Sequence, residues 1–254
     1  MLAGDILELA GDGSIARQHV GSVAAMLRPR RDGGFVVAAE RGLLLADGDA
    51  LDAPLQALPE VWSDPGVRMN EGGCDPAGNL YLGSMAYDSR VGGGTLYKFD
   101  ANHEVSVVDD AVTISNGIEW SPDERLAYYA DSDTYRIDVF DWDAASGLTN
   151  RRPFVRFDPP GVPDGLTVDS EGGVWVAVFD GGAVRRYSAA GTLEEVIEVP
   201  APKVTAVTFF SADLDRLIIT TSRHEMADAA GTQAGALFTA TPGVTGQPVR
   251  AYAG

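Results

Sequence analysis

The sequence predicts an all-β fold of propeller type, and three observations carry that prediction. A polar turn followed by a short apolar strand recurs five times along the 254 residues. The recurrence is nearly periodic, and no segment sustains the 3.6-residue apolar repeat of an amphipathic helix. The copies read RRDGGFVVAAE, DPAGNLYLGSM, SPDERLAYYAD, DSEGGVWVAVF and SADLDRLIITT. Their first strand residues, Phe35, Leu80, Leu126, Val174 and Leu217, lie 45, 46, 48 and 43 positions apart. That spacing suits one supersecondary unit per repeat.

Each element follows from local composition. The strand of each copy is rich in Val, Ile, Leu, Tyr, Phe and Trp, and its turn holds Gly, Asp, Asn or Pro. Further strands follow in GTLYKFD, RIDVFDWD and GAVRRYSAAG. The closing stretch, GALFTATPGVTGQPVRAYAG, reads as the outer part of a blade. Four short antiparallel strands in roughly 40–50 residues make a propeller blade, whereas a β-sandwich would share the composition without the period. Residues 1–254 therefore read as one propeller domain. Stepping back one period from Phe35 passes the start of the chain, so the count is either five blades, or six with the first lacking N-terminal strands. The turn acids Asp32, Asp75, Asp123 and Asp169 have turn chemistry as their default reading.

Bulk properties exclude several functions. The formal net charge of −18 repels nucleic-acid phosphates and anionic lipid, so neither is a predicted partner. Cys74 is the single cysteine, which rules out an intrachain disulfide and a thiolate metal cage. His19, His103 and His224 are too far apart for a zincin helix. No G-x-S-x-G elbow occurs, and His224 falls in a long loop, TSRHEMADAAGTQAG, read as a cover over one mouth of the ring. No apolar run is long enough to span a bilayer, and no signal-peptide core follows Met1. The reading is a cytoplasmic monomer or weak oligomer.

The repeat also exposes a polar register. Ten residues before Leu80, Leu126 and Val174 stand Asn70, Asn116 and Asp164, in VRMNEGG, TISNGIE and GVPDGLT. Taken alone, Asn116-Gly117 is a hairpin corner and Pro163-Asp164-Gly165 a turn. Equivalent positions on the innermost strands of successive blades are instead related by rotation about the propeller axis. The three side chains are then expected to aim at one spot near a mouth of the channel. Two amide oxygens and a carboxylate suit one hard divalent cation, Ca, Zn, Mn or Mg, with open positions for water and substrate. Arg68, two residues before Asn70, shares its face if the strand is regular, and reads either as a surface ion-pair partner or as a fork for substrate oxygens.

RMNEGGCDPAGNLYLGSM, ISNGIEWSPDERLAYYADS, VPDGLTVDSEGGVWVAVFDGGAVRRY and GVTGQPVRAYAG together resemble the gluconolactonase and regucalcin (senescence marker protein) family of six-bladed propellers. The resemblance runs from about Gly21 to Gly254 and implies a metal-dependent hydrolase that opens a sugar-acid lactone. It makes Asn116 and Asp164 metal ligands, with Asp164 also the general base. Arg68, Asn70 and Asp88 become contacts to the small-molecule sugar lactone. Relatives commonly carry Glu at the position of Asp88, and Asp at that of Glu71, to which no role is assigned. The family's third protein ligand, a Glu in an N-terminal EGP or ESP motif, has no counterpart in this sequence. The family pattern therefore predicts an N-terminally shortened chain lacking strands of its first blade. The alternative is a non-catalytic metal-binding or interaction propeller whose activity is lost with that Glu.

Overall fold

The computed structural model describes residues 1–226 and 233–254, and its regular elements are strands apart from one 3-10 turn, Ser132–Thr134. Residues 227–232, part of the loop that carries His224, lie outside the described residues. Four of the five sequence copies open the second strand of an antiparallel sheet at the expected residue: β4 (Phe35–Ala38), β8 (Leu80–Ala86), β12 (Leu126–Asp131) and β16 (Val174–Phe179). In the fifth, β20 (Arg216–Thr221) starts one residue early. The fold is an all-β propeller type, and its sheets are up-and-down meanders in chain order.

The chain divides into two compact units, Met1–Ser115 with Val249–Gly254, and Asn116–Pro248. The first unit begins with a hairpin of β1 (Asp5–Leu9) and β2 (Ile15–His19). A sheet of β3 (Met26–Pro29), β4, β5 (Leu43–Ala46) and β6 (Leu55–Ala57) follows, then one of β7 (Val67–Cys74), β8, β9 (Gly94–Phe99) and β10 (Val105–Val112). The two sheets bury Met26, Val36 and Leu45 against Met69, Leu80 and Leu82. Cys74 is buried in the same cluster as a core filler. The chain's end returns to this layer: Tyr252, fully buried, pairs with Arg30 and gives its hydroxyl proton to the Asp100 carbonyl at 2.7 Å.

The second unit holds β11 (Ser115–Trp120, from Asn116 on) with β12, β13 (Arg136–Asp143) and β14 (Gly147–Arg156). Next comes β15 (Val162–Val168) with β16, β17 (Ala183–Tyr187) and β18 (Leu193–Glu198). A three-stranded sheet of β19 (Val204–Phe210), β20 and β21 (Leu237–Ala240) completes it. One cluster joins Tyr128, Ile137 and Val155 to Val168, Val174 and Val176; another joins Trp175 and Val184 to Val207, Phe209 and Ile219. A strand covered on both faces reads as a continuous apolar run rather than an alternating one. Residues 174–178, VWVAV, are buried throughout, whereas the fourth strand β18 exposes Leu193 and Val196. This is why the sequence repeat is sharpest at the second strand.

The six-blade count is corrected. Among the described residues there are five blade-like sheets, four of four strands and one of three, together with the hairpin. Residues 5–19 ladder with each other, and Ile6 packs on Phe35 and Val37. Among the described residues no helix is long and apolar enough to cross a membrane. Asp75, Asp123 and Asp169 behave as their residue type predicts. Asp75 accepts from the Asn79 amide at 2.8 Å and Asp169 from the Gly173 amide at 2.8 Å. At the first turn the acceptor is Asp49, bonded to the Gly34 amide at 2.7 Å.

Candidate functional site

Asn116-Gly117 is not a hairpin corner. Both residues lie within β11, and Asn116 is 5% exposed. The glycine answers a close approach: a Cβ at Gly117 would stand 2.4 Å from the Leu166 amide nitrogen and 3.1 Å from the Asp164 carbonyl oxygen. Only a residue without a side chain lets β11 lie this near β15. Asp164, half-buried, sits inside β15 rather than in a turn.

A serine joins the two. The amide nitrogen Nδ2 of Asn116 donates to Ser132 Oγ at 2.6 Å, and Ser132 Oγ donates to the Pro163 carbonyl at 2.7 Å, one residue before Asp164. Ser132 is 4% exposed and opens the 3-10 turn between β12 and β13. With its nitrogen on Ser132, the Asn116 amide turns its oxygen the other way. That oxygen and the Asp164 carboxylate are hard donors of the kind a divalent cation takes, so these residues fit such an ion. Among the described residues, no group of three His, Cys, Asp or Glu could hold a metal.

In the first unit, β7 carries Arg68 and Asn70, 9% and 6% exposed. They share a face, as their spacing predicts. Arg68 Nη1 donates to Asn70 Oδ1 at 2.7 Å, and Asn70 Nδ2 donates to the Ser115 carbonyl at 2.7 Å. The guanidinium lies over the Tyr87 ring, 5.7 Å from its centroid, and the Tyr87 hydroxyl donates to Glu40 at 2.6 Å. Asp88 stands in the exposed turn after β8, its carboxylate accepting from the Arg90 amide and guanidinium, each at 3.2 Å. Those bonds, the backbone one first, hold the Asp88 carboxyl below the usual carboxylate range.

The register read from sequence has a structural signature. Along β7 and β8, Met69 faces Ser84 and then Gly72 faces Leu82, so Asn70 and Glu71 together oppose Gly83. Along β15 and β16, Pro163 faces Val178 and then Leu166 faces Val176, so Asp164 and Gly165 together oppose Ala177. The same bulge falls at the same repeat position. Bulges re-aim side chains and gather beside functional sites.

Glu71, half-buried in the first of these bulges, is pushed up to about 7 by burial, with the Arg28 guanidinium pulling the other way. From its ordinary 4.5 to about 7, the native state keeps a proton that the unfolded chain has lost. Stability attributable to Glu71 therefore declines as pH rises through that window and levels off above it. Glu71→Gln is expected to abolish this decline. Thermal melts at pH 5 and pH 8 should show the variant gaining on the parent at the higher pH, and an equal difference at both would contradict it.

Sequence reasoning missed Ser132, Tyr87 and Glu40. Ser132 lies in the quoted motif ISNGIEWSPDERLAYYADS, sixteen residues after Asn116, so the motif's extent was its one available signal.

Comparison with known proteins gives concordant matches. The model of the SMP-30/Gluconolactonase/LRE-like region matches residues 3–223. Regucalcin of Danio rerio is 37% identical over 235 residues, 89% of this chain and 79% of the relative. Pentonolactonase XacC of Haloferax volcanii is 34% identical over 236 residues, again 89% and 79%. Among solved structures, a calcium-binding protein, regucalcin, from Agrobacterium tumefaciens aligns with a TM-score of 0.91 at 28% identity, covering 99% of this chain and 87% of its own.

Proposed function

Because the chain belongs to the SMP-30/Gluconolactonase/LRE-like family, we propose that it hydrolyses the lactone of a small sugar acid, with one divalent cation held by Asn116 and Asp164. Beside family membership, the observation that supports this most directly is the buried Asn116–Ser132–Pro163 link, which ties an oriented amide to the strand carrying the carboxylate. A relative that acts as a pentonolactonase, and one that binds calcium, favour the same reading.

The cation, when bound, polarises the lactone carbonyl and acidifies water. Asp164 takes the proton of the attacking water as its oxygen bonds to the carbonyl carbon. The ring C–O bond then breaks, and the proton passes to the departing sugar oxygen. Arg68 supplies a fixed fork of donors for substrate oxygens, kept in place by Asn70 and Tyr87. Asp88 accepts from sugar hydroxyls at the turn. The neutral lactone becomes an anionic acid, which a chain of net charge −18 disfavours retaining.

The test is acid release from a panel of aldonolactones, followed in a pH-stat after chelation and on adding back Ca, Mn, Mg or Zn. Metal-dependent turnover on at least one lactone is expected. Stoichiometric metal binding with no turnover on any would overturn it in favour of a non-catalytic metal-binding propeller.

A further inference from the structure

We infer that Ser132 is a positioning residue that fixes which end of the Asn116 amide faces the cation. The inference deepens the reading above, since it takes Asn116 to be a ligand.

The argument is one of proton counting. A serine hydroxyl has a single proton and accepts through its lone pairs. The Pro163 carbonyl can only accept, so at 2.7 Å the Ser132 proton is committed to it. Whatever meets Ser132 Oγ from the other side must donate. Asn116 meets it at 2.6 Å, and the part of that side chain able to donate is its NH2 group. A flipped amide would place two acceptors against each other inside a site where Asn116 is 5% and Ser132 4% exposed. Such a clash, sealed from water, costs far more than at a surface. The Asn116 oxygen is thereby presented away from Ser132 without a conformational search when an ion arrives.

The same hydroxyl spans β11 and the strand of Asp164. Its acceptor is the carbonyl immediately before Asp164, in the bulge that displaces Asp164 and Gly165 together. One small side chain therefore sets the orientation of one proposed ligand and braces the backbone of the other. Partners behind a metal's direct ligands characteristically act this way, and their loss weakens metal binding by about 10–100-fold.

The test titrates Ca2+ and Mn2+ into the chelated full chain by calorimetry, for Ser132→Ala, Ser132→Thr, Asn116→Ala and the double variant Asn116→Ala/Ser132→Ala. Ser132→Ala is expected to weaken binding about 10–100-fold, and Ser132→Thr, which keeps the hydroxyl, to stay near the parent. The loss from Ser132→Ala should be clearly smaller when Asn116 is already Ala than when it is present, because the orienting role on Asn116 is then gone and only the brace on the strand of Asp164 remains. Should Ser132→Ala fold poorly, Ser132→Cys retains the volume with poorer hydrogen bonding and reads the same loss. Equal losses from Ser132→Ala with Asn116 present and absent, or no loss at all while Asn116→Ala weakens binding, would overturn the role of Ser132 and leave the metal reading intact. No effect of Asn116→Ala would overturn the metal reading itself.

Discussion

Asp164→Asn is expected to lower kcat/KM for lactone hydrolysis by about 10²–10⁴-fold, the range associated with a general base, and to weaken cation binding at the same time. Asparagine keeps the shape and one oxygen but loses the charge and the basicity. The substitution falls in the middle of β15, within a bulge rather than a core layer, and Asp164 is half-buried. Its thermal stability without metal should stay near the parent. Initial rates, calorimetric titration and melts on one preparation separate the outcomes. A variant that still turns over within tenfold of the parent would remove Asp164 from the chemistry.

The largest expected loss of stability lies on the same stretch of chain. Asp169, fully buried, accepts from the amides of Gly173 and Glu171 at 2.8 and 3.0 Å, from the Trp175 indole at 2.9 Å and from Arg186 Nε at 2.7 Å. Arg186 in turn reaches Glu194 and Glu171 and lies over the Trp175 ring. Asp169→Ala leaves a guanidinium, an indole and two amides facing the space of a lost carboxylate. Breaking a buried pair from one side costs about 3–5 kcal/mol, and a urea denaturation curve should show it as a lower midpoint with an unchanged slope. Asp169→Asn keeps an acceptor for one or two donors and should lose less. Exposed Asp88, paired with Arg90 at the surface, offers the contrast: its removal should leave the curve nearly unmoved.

What was legible in the sequence was whatever one sheet settles by itself. Phe35, Leu80, Leu126 and Val174 open their strands where the repeat places them, because a meander closes its ladder among neighbouring residues and both faces of the second strand are covered. The same periodicity singled out Asn70 and Asp164, and the bulge at both positions shows the equivalence to be structural. Three things were not legible. The period left the count open between five blades and six and the resemblance chose six, while the pairing of residues 5–19 with one another depends on which strands are available. Asn116-Gly117 and Pro163-Asp164-Gly165 carry strong turn chemistry, yet tertiary packing holds both as strands, with Gly117 selected by the approach of Leu166. Ser132 is one polar residue among several in ADSDT, and its partner Pro163 is 31 residues away, beyond the reach of a pattern with period 2.

The seat of Ser132 bears on how this chain can vary. It lies at the first position of the 3-10 turn that closes β12 onto β13, a turn completed by Tyr135 in a left-handed conformation at φ 53°. Loop tips ordinarily absorb inserted residues with little harm. The next turn of the same sheet, at 144–146, is exposed and should accept insertions in that way. One extra residue between Asp131 and Arg136 would instead swing the hydroxyl off Asn116 and Pro163 together. In a library of random insertions the two connections should diverge, the first intolerant by length alone and the second permissive, though both are short turns of one sheet.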